Sequence, residues 1–414
     1  MRTDDNMPIA YQLDCLGLAC SLGVGKQQVL SRLLEGDRSG IIQRTGYLQD
    51  PSVPIPVAEV AIDIESDAYK LPDSMGRYES RNNRLLMLAY EQIRTEAKSA
   101  IQQFGPERVA IVLGTSTSGV SETENAFTSR KATSMLPEGY DYHRQEFGDP
   151  AQFLAEFLGI EGPHYCISTA CSSGAKVFGS ARRLLETGRA DAVIVGGVDS
   201  LCRLTINGFQ ALESISKEPC VPFEQARDGI NIGEGAALFL MTRSVQIEPQ
   251  ELYLLGVGES SDAYHISAPH PEGVGAIAAM QAALRDAKLS PSDIAYINAH
   301  GTATQQNDLV ESKAINQVFG ADVPTCSTKG MLGHTLGAAG ALEAAICWLL
   351  LSEYNAAACM PFQVISGLLD SELEPINLVT TPGIPLAEGA ILSNSFAFGG
   401  SNAALVIGKG NYVR

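Results

Sequence analysis

The sequence predicts a layered α/β fold built from two related halves, and three observations indicate it. The first is a set of short apolar runs, 109–113, 192–195 and 294–298, each of which ends in a loop containing glycine. Such runs are typical of strands that are buried on both faces. The second is a set of alanine-rich helical segments between the runs, such as 174–185 and 337–351. Strands that alternate with helices are characteristic of layered α/β proteins.

The third observation is a faint internal repeat. A strand with a following Gly-Thr loop at 109–119 resembles 294–304, and a strand, glycine loop and alanine-rich helix at 166–185 resemble 326–345. The spacing of the repeat predicts one half at 1–250 and a second at 251–414, with a polar, irregular insertion around 121–162 in the first. A chance similarity between two halves rich in βαβ units is the alternative.

Composition excludes several classes of protein. The 414 residues include 45% hydrophobic ones and carry a formal net charge of −18, which argues against disorder and against nucleic-acid binding. Nine cysteines without a Cys-x-x-Cys spacing argue against a disulfide scaffold or a metal site. The apolar stretch 338–351 is too short for a membrane span and predicts a buried helix. Since no signal peptide is recognisable, we expect a cytoplasmic protein with no membrane contact.

Cys171 is a candidate nucleophile. It lies in the loop Thr-Ala-Cys-Ser-Ser-Gly-Ala, between a strand-like run and a helical run. Free N–H groups and the helix dipole at such a junction stabilise a thiolate, so we expect a lowered thiol pKa. A buried cysteine that acts as a small apolar residue is the alternative, and it is the interpretation we give to Cys166.

Two further loops place a histidine beside glycine. His300 follows the run 294–298 in Asn-Ala-His-Gly-Thr-Ala-Thr, and His334 ends the segment Ser-Thr-Lys-Gly-Met-Leu-Gly-His. A histidine at a strand exit is held rigidly with its ring towards open space. A core histidine bonded to a carbonyl is the alternative for each one alone.

Polar side chains accompany both histidines. Thr302 and Thr304 alternate, so both hydroxyls can face one ligand. Lys329 either tunes the pKa of a neighbour or forms an ion pair with Glu311 or Glu343.

A glycine pair follows an aromatic residue near the C-terminus. Phe398, Gly399 and Gly400 separate the apolar runs 390–392 and 403–407. A tight turn of this kind exposes backbone N–H groups, the donors from which an oxyanion hole is made. A plain hairpin turn is the alternative.

Taken together, these loops resemble those of the β-ketoacyl-ACP synthases, the decarboxylating Cys-His-His condensing enzymes of the thiolase superfamily. The resemblance covers about 15–407 and rests on the motifs TACSSGA, NAHGTAT, STKGMLGHTLGAAGALE, NSFAFGGSNA and PFEQARDGINIGEGAA. His334 stands where synthase III and plant-type polyketide synthases carry asparagine. The resemblance implies a thiolase fold of two pseudo-symmetric halves in five layers, α-β-α-β-α.

The resemblance also implies a role for each site residue. Cys171 accepts the acyl group, His300 and His334 act on the malonyl unit, and Lys329 supports them electrostatically. The backbone N–H groups of Cys171 and Phe398 form the oxyanion hole. The residues that contact the substrate arm or gate the site are Thr302, Thr304, Phe398, Gly399 and Gly400.

The implied activity is 3-oxoacyl-ACP synthesis by a stand-alone, type II enzyme without a cofactor, on substrates held by the phosphopantetheine arm of an acyl carrier protein. Fatty-acid elongation and a polyene, aryl polyene or other polyketide pathway are both open. The implied assembly is a homodimer, or a heterodimer with a chain-length-factor-like homologue, with the segment 121–162 at the interface. Because carrier proteins are acidic, Lys217 and Arg203 are predicted to form a basic contact patch.

Two alternative functions remain open, and one residue departs from the family motif. A non-catalytic chain-length factor would lack the cysteine, and a non-decarboxylating thiolase would need a second acid/base cysteine late in the chain. The departure is Ala397, which stands where the family commonly has glycine and adds a Cβ beside the gate.

Overall fold

Strands alternate with helices along most of the chain, and the computed structural model describes residues 9–414. The strands are β1 (Ala10–Cys20), β2 (Gly23–Val24), β3 (Ile41–Arg44), β4 (Ile55–Ala58), β5 (Val109–Gly114), β6 (His164–Ile167), β7 (Ala192–Asp199), β8 (Gly235–Ser244), β9 (Leu252–Ser261), β10 (Ile294–Asn298), β11 (Pro324–Cys326), β12 (Asn377–Leu378), β13 (Ala390–Phe396) and β14 (Ser401–Lys409). The helices are α1 (Lys26–Leu34), α2 (Arg81–Glu91), α3 (Arg94–Phe104), α4 (Val120–Thr133), α5 (Asp149–Leu158), α6 (Ser173–Glu186), α7 (Arg203–Ala211), α8 (Val274–Ala287), α9 (Gln305–Phe319), α10 (Lys329–Leu332) and α11 (Ala339–Leu351).

Most strands join one mixed sheet whose two ends have the same topology. The order is β12-β11-β10-β13-β14-β9-β1-β8-β7-β5-β6, with β2 paired to β1. At one end β6, β5 and β7 are parallel, and β8 and β1 continue antiparallel. At the other end β11, β10 and β13 are parallel, and β14 and β9 continue antiparallel. The halves join where Tyr11 and Gln12 pair with Leu254 and Tyr253.

Helices cover both half-sheets and separate them. Helices α6 and α11 contact each other and strands of both halves, whereas α2 packs on β1, β7 and β8, and α8 packs on β9 and β14. This order of helix, sheet, helix, sheet and helix confirms the predicted α/β architecture.

Side-chain alternation along the strands explains the layers. In β5, Val109, Ile111 and Leu113 belong to the apolar cluster beneath α2, whereas Ala110 and Val112 belong to the central cluster around α11. A strand with apolar residues on both faces has no solvent face, which is why the run is continuous in sequence.

The predicted elements differ from the observed ones mainly in length. Strand β10 has the predicted bounds, whereas β7 runs on from the predicted 192–195 to Asp199. The predicted buried helix is α11, whose thirteen residues are all buried, including Glu343. Among residues 9–414, no helix combines the length and apolar character that a bilayer crossing requires.

The segment 121–162 was predicted to be irregular, and this expectation was wrong. It contains most of α4 and all of α5, and α5 buries Phe153 and Leu154 against the first half-sheet. The exposed apolar residue Phe127 obscures the periodicity of α4, because it breaks the separation of polar and apolar faces.

Two glycines let the backbones of the central helices α6 and α11 come into direct contact. A Cβ atom on Gly174 of α6 would lie 2.7 Å from the nitrogen of Ala341, and one on Gly340 of α11 would lie 2.5 Å from the nitrogen of Ala175. No other residue fits at either position without moving a helix. The close contact brings together the loops that precede α6 and α11.

A buried carboxylate ties these loops to the first half-sheet. One oxygen of Asp199 accepts hydrogen bonds from the backbone N–H groups of Ser116 (2.7 Å) and Thr117 (2.8 Å), and from the hydroxyls of Thr115 and Thr117 (both 2.8 Å). Its other oxygen accepts from the N–H of Ala338, at 3.0 Å, just before α11. Asp199 therefore links the two halves close to the site.

Candidate active site

Cys171 lies two residues before the first turn of α6. It is only 4% exposed, and the preceding Ala170 has a φ of 53°, in the left-handed region. Such a sharp turn between a strand and a helix presents a side chain on its outer side. The predicted position of the cysteine at a helix start is thus confirmed.

His334 and His300 meet Cys171 from the other half of the chain. His334 Nε2 lies 3.0 Å from Cys171 Sγ, and the two imidazole ring centres are 5.4 Å apart and nearly perpendicular. The sulfur and one nitrogen of each ring lie within 4.8 Å of one another. Both histidines are buried, so a small reacting group between them would be shielded from water.

Lys329 orients His300. Its Nζ lies 3.2 Å from His300 Nδ1 and donates to the His300 carbonyl at 2.6 Å. It also forms a buried ion pair with Glu343, which resolves the two partners that the sequence left open. Because an ammonium group only donates, His300 Nδ1 must accept, and the ring hydrogen of His300 is on Nε2.

His334 has no such constraint. Its Nδ1 is buried and has no hydrogen-bond partner within residues 9–414. The tautomer of His334 is therefore not fixed by the protein, and its Nε2 can either accept a proton from the thiol or donate one.

Glu311 fixes the backbone of the His300 loop, a role that the sequence did not indicate. Its carboxylate accepts from the N–H groups of His300 (2.7 Å) and Gly301 (2.6 Å), and from Asn394 Nδ2 (3.2 Å). Burial raises its pKa to about 7, although these backbone donors oppose the shift. Its separation of 11 residues from His300 was the one sequence signal that could have suggested the contact.

The thiol pKa differs from our expectation. Burial raises the pKa of Cys171 to about 11, and the charge of Lys329 and the backbone N–H groups of Phe398 and Cys171 only partly oppose this shift. The helix start does supply donors, as predicted, but loss of hydration outweighs them in the closed site. Cys171 is a thiol here and needs a proton acceptor, which His334 Nε2 provides.

Both histidines are neutral. Burial, followed by the positive charge of Lys329, holds the pKa of each ring well below its usual 6.5. At His300 the neighbouring His334 lowers the pKa further. Neutral rings can accept or donate hydrogen bonds without the cost of a buried charge.

Phe398 lies at the edge of the site in a turn shaped by glycine. Gly399 and Gly400 have φ values of 83° and 76°, and the half-buried Phe398 ring packs against Phe209 of α7 at 5.6 Å between ring centres. The backbone N–H groups of Phe398 and Cys171 both favour a thiolate at Cys171 and so lower its pKa against the effect of burial. Phe209 was not recognised from the sequence, because aromatic contacts between distant segments leave no local pattern.

A cavity of about 310 Å³ leads to the cysteine. Thr302 and Thr304 line it, and their hydroxyls are 2.9 Å apart, as their alternation in the sequence suggested. Lys217 and Arg203 are exposed, but neither lines this cavity.

A five-layer fold of two similar half-sheets, with a buried Cys-His-His cluster between them, defines the thiolase-like class of proteins. Residues 16–246 match the beta-ketoacyl synthase N-terminal domain, and residues 253–363 match the beta-ketoacyl synthase C-terminal domain. The chain belongs to the β-ketoacyl synthase family.

Known relatives agree with this assignment. The 3-oxoacyl-[acyl-carrier-protein] synthase 2 of Staphylococcus aureus (strain COL) is 38% identical over 265 residues, which are 61% of this chain and 63% of that protein. The chain thus spans slightly less than two thirds of that relative. The protein of the same name from Synechocystis sp. (strain ATCC 27184 / PCC 6803 / Kazusa) is 32% identical over 343 residues, 78% of this chain and 80% of that protein.

A solved structure is similar over almost the full length. It is the ketosynthase ApeO in complex with its chain length factor ApeC from Xenorhabdus doucetiae, and the matching chain is 44% identical, with a TM-score of 0.91. The similarity covers 99% of this chain and 100% of that one. This agreement supports the thiolase fold that the sequence motifs implied.

Proposed function

We propose that the protein is a 3-oxoacyl-ACP synthase, which condenses malonyl-ACP with an acyl group held on Cys171 and releases CO2. The observation that carries the proposal is the contact between the buried thiol of Cys171 and neutral His334, with His300 beside it as a fixed donor. Each of the two half-reactions uses these groups differently.

In the first half-reaction His334 acts as the base. Its Nε2 takes the thiol proton, and the Cys171 sulfur attacks the carbonyl carbon of acyl-ACP. The N–H groups of Cys171 and Phe398 stabilise the resulting oxyanion. The carrier thiolate then leaves and takes the proton from His334, so that an acyl-cysteine and a free carrier thiol result.

In the second half-reaction the histidines stabilise an enolate. The malonyl C–C bond breaks, CO2 leaves, and the electron pair forms an enolate whose oxygen accepts from His300 Nε2–H. His334 donates to the same oxygen in its Nε2–H tautomer, which the unpartnered Nδ1 permits. The enolate carbon attacks the acyl carbonyl, the Cys171 thiolate leaves, and a proton from water restores the thiol.

Two other activities fit the cavity less well. A chain-length factor needs no nucleophile, yet this chain brings Cys171 and both histidines within 4.8 Å. A non-decarboxylating thiolase needs a second cysteine as acid and base, and Cys171 is the sole cysteine among the described residues that line the cavity.

A condensation assay tests the proposal. The protein is incubated with acyl-ACP and radiolabelled malonyl-ACP, and we expect labelled 3-oxoacyl-ACP together with CO2. Intact-mass and peptide analysis should locate the acyl group on Cys171. Acylation of Cys166 instead, or product formation by Cys171→Ala, would contradict the assignment.

We further propose an acyl carrier protein and a chain-length-factor-like chain as partners. The similarity to a ketosynthase in complex with its chain length factor supports the second partner. Affinity purification of the tagged protein from its own cells should recover both, and the acyl group on the recovered carrier protein distinguishes fatty-acid elongation from a polyene pathway. Recovery of a homodimer alone would reject the heterodimer.

A further inference from the structure

The part of the cavity wall that carries Thr302 and Thr304 contains a strained residue. Ala303, between the two threonines, is fully buried and has a φ of 60°, in the left-handed region. A residue with a Cβ keeps this conformation only where its surroundings hold it there, and such residues are frequent at functional sites. The hydroxyls of Thr302 and Thr304 lie 2.9 Å apart at the cavity, so the strained turn brings both to one place.

Arg227 fixes the backbone of this turn. Its guanidinium is fully buried and donates to the carbonyl oxygens of Thr304 at 3.3 Å and Gln305 at 3.1 Å. The N–H of Gly229, two residues further on, donates to the carbonyl oxygen of Ala303 at 2.9 Å. Three successive carbonyl groups of the turn are therefore bonded to the short segment that begins at Arg227.

Arg227 is in turn anchored outside the cavity. Its Nη1 donates to the carboxylate of Asp370 at 2.6 Å and to the carbonyl oxygen of Glu224 at 2.8 Å. These partners offset the cost of burying the charge. A lysine has a single nitrogen and cannot contact acceptors on both sides of a planar guanidinium at once. The contacts with the turn thus require arginine, although Arg227 does not itself line the cavity.

We propose that Arg227 is a positioning residue for the substrate arm, because it holds Thr302 and Thr304 where their hydroxyls can bind the amide groups of pantetheine. A hydroxyl can donate to an amide carbonyl or accept from an amide N–H. Arg227 acts on the arm through the turn and does not touch it. The inference rests on the proposed function, since it concerns the arm that delivers the thioester to Cys171.

The test uses an unreactive ligand, so it does not require turnover. The probe is the S-ethyl thioether of pantetheine, which cannot acylate Cys171. Its dissociation constant is measured as protection of Cys171 against iodoacetamide, read by mass spectrometry. The rate of alkylation without the probe reports the state of the cysteine and its histidines separately. The variant is Arg227→Lys, which keeps the charge and removes the planar group.

We expect Arg227→Lys to bind the probe about threefold to tenfold more weakly, the effect of losing one or two hydrogen bonds. The rate of alkylation without the probe should not change. Thr302→Val/Thr304→Val should also weaken binding, and Arg227→Lys added to it should cause little further loss, because the two changes act on the same contact. The full additional loss would overturn the proposal, as would unchanged binding or an equal fall in the alkylation rate.

The matched control is Arg108→Lys. Arg108 bonds to the carboxylate of Asp191 at 2.8 Å and to the carbonyl oxygen of Gly188 at 2.7 Å, away from the cavity, so this variant should bind the probe like the unmodified protein.

A second variant serves if Arg227→Lys does not fold. Asp370→Asn removes the charge that anchors Arg227 and leaves no buried carboxylate unpaired. We expect a smaller loss of probe binding at an unchanged rate of alkylation, and unchanged binding would overturn the proposal. Probe binding without condensation of carrier-bound substrates would reject the proposed function instead, because the binding measurement is independent of it.

Discussion

At the scale of single residues, Lys329 makes the two histidines unequal. It donates to His300 Nδ1 and so leaves the ring hydrogen of His300 on Nε2, whereas no group within residues 9–414 bonds to Nδ1 of His334. His334→Ala should therefore slow both half-reactions, and His300→Ala should slow decarboxylation alone. We expect malonyl-ACP decarboxylation to fall by about 10²–10³ when one oxyanion donor is removed. Separate assays of Cys171 acylation and CO2 release check this, and equal acylation by the two variants would contradict the division of roles.

The depressed pKa values predict a flat pH profile. A histidine with the usual pKa of 6.5 would be about three quarters protonated at pH 6, but burial and Lys329 hold the pKa of both rings well below this value. Protonation of the histidines should therefore not reduce decarboxylation between pH 6 and pH 8. A change near pH 7 would instead report Glu311, whose pKa is raised to about 7.

Removal of the lysine charge should weaken the depression of the His300 pKa, although burial still lowers it. In Lys329→Met/Glu343→Gln the pKa of His300 should rise, because one cause of its depression is gone. As the pH is lowered, activity should therefore begin to fall at a higher pH than in the unmodified protein. The second substitution prevents an unpaired buried carboxylate. An unchanged profile would show that Lys329 does not act on the histidine charge.

At the scale of elements, the turn between β13 and β14 depends on an aromatic contact. Phe398→Ala keeps the backbone N–H but removes the ring that packs on Phe209. We expect acylation of Cys171 to persist while condensation slows and acyl selectivity broadens. Phe209→Ala, which removes the other ring, should have the same effect to a smaller degree. A large fall in melting temperature, with both half-reactions lost together, would indicate a core residue instead of a gate.

The contact between α6 and α11 sets the distance between nucleophile and base. In Gly340→Ala the new Cβ would lie 2.5 Å from the Ala175 nitrogen, so the helices must separate. Overpacking of this kind costs about 1–3 kcal/mol of unfolding free energy, and the contact between Cys171 and His334 should lengthen. Urea unfolding and alkylation of Cys171 measure the two effects. Gly148→Ala is the matched control, since no atom lies within 4 Å of its Cβ position.

At the scale of the whole molecule, the segment 121–162 leaves apolar side chains uncovered. Phe127 is 46% exposed and Met135 is 71% exposed. If a second subunit covers this face, Phe127→Asp should weaken the assembly by burying a charge against it. Light scattering after gel filtration measures the subunit number. Ile384→Asp, at an exposed position outside the segment, should leave the assembly intact.

The sequence predicted the strands, the helices and the residues of the candidate site better than the protonation and the long-range contacts of those residues. Glycine-bounded strands and the loops of Cys171, His300 and His334 have local patterns, so they were recognisable. The pKa of Cys171 was not, because burial depends on how two distant loops close over the sulfur. The contact of Glu311 with the His300 loop and that of Phe209 with Phe398 were missed for the same reason, since they join segments without a shared motif.

The division of the site between the two halves has a consequence for the growing polypeptide. Cys171 leaves the ribosome 163 residues before His334. At the usual pace of translation this interval is roughly 8–30 s. Throughout it the nascent chain carries its nucleophile without its base and without the second half that buries it. A chain that stops before His334 therefore cannot hold the complete acyl-transfer site, and the chemistry begins only after His334 has been synthesised and has folded against Cys171.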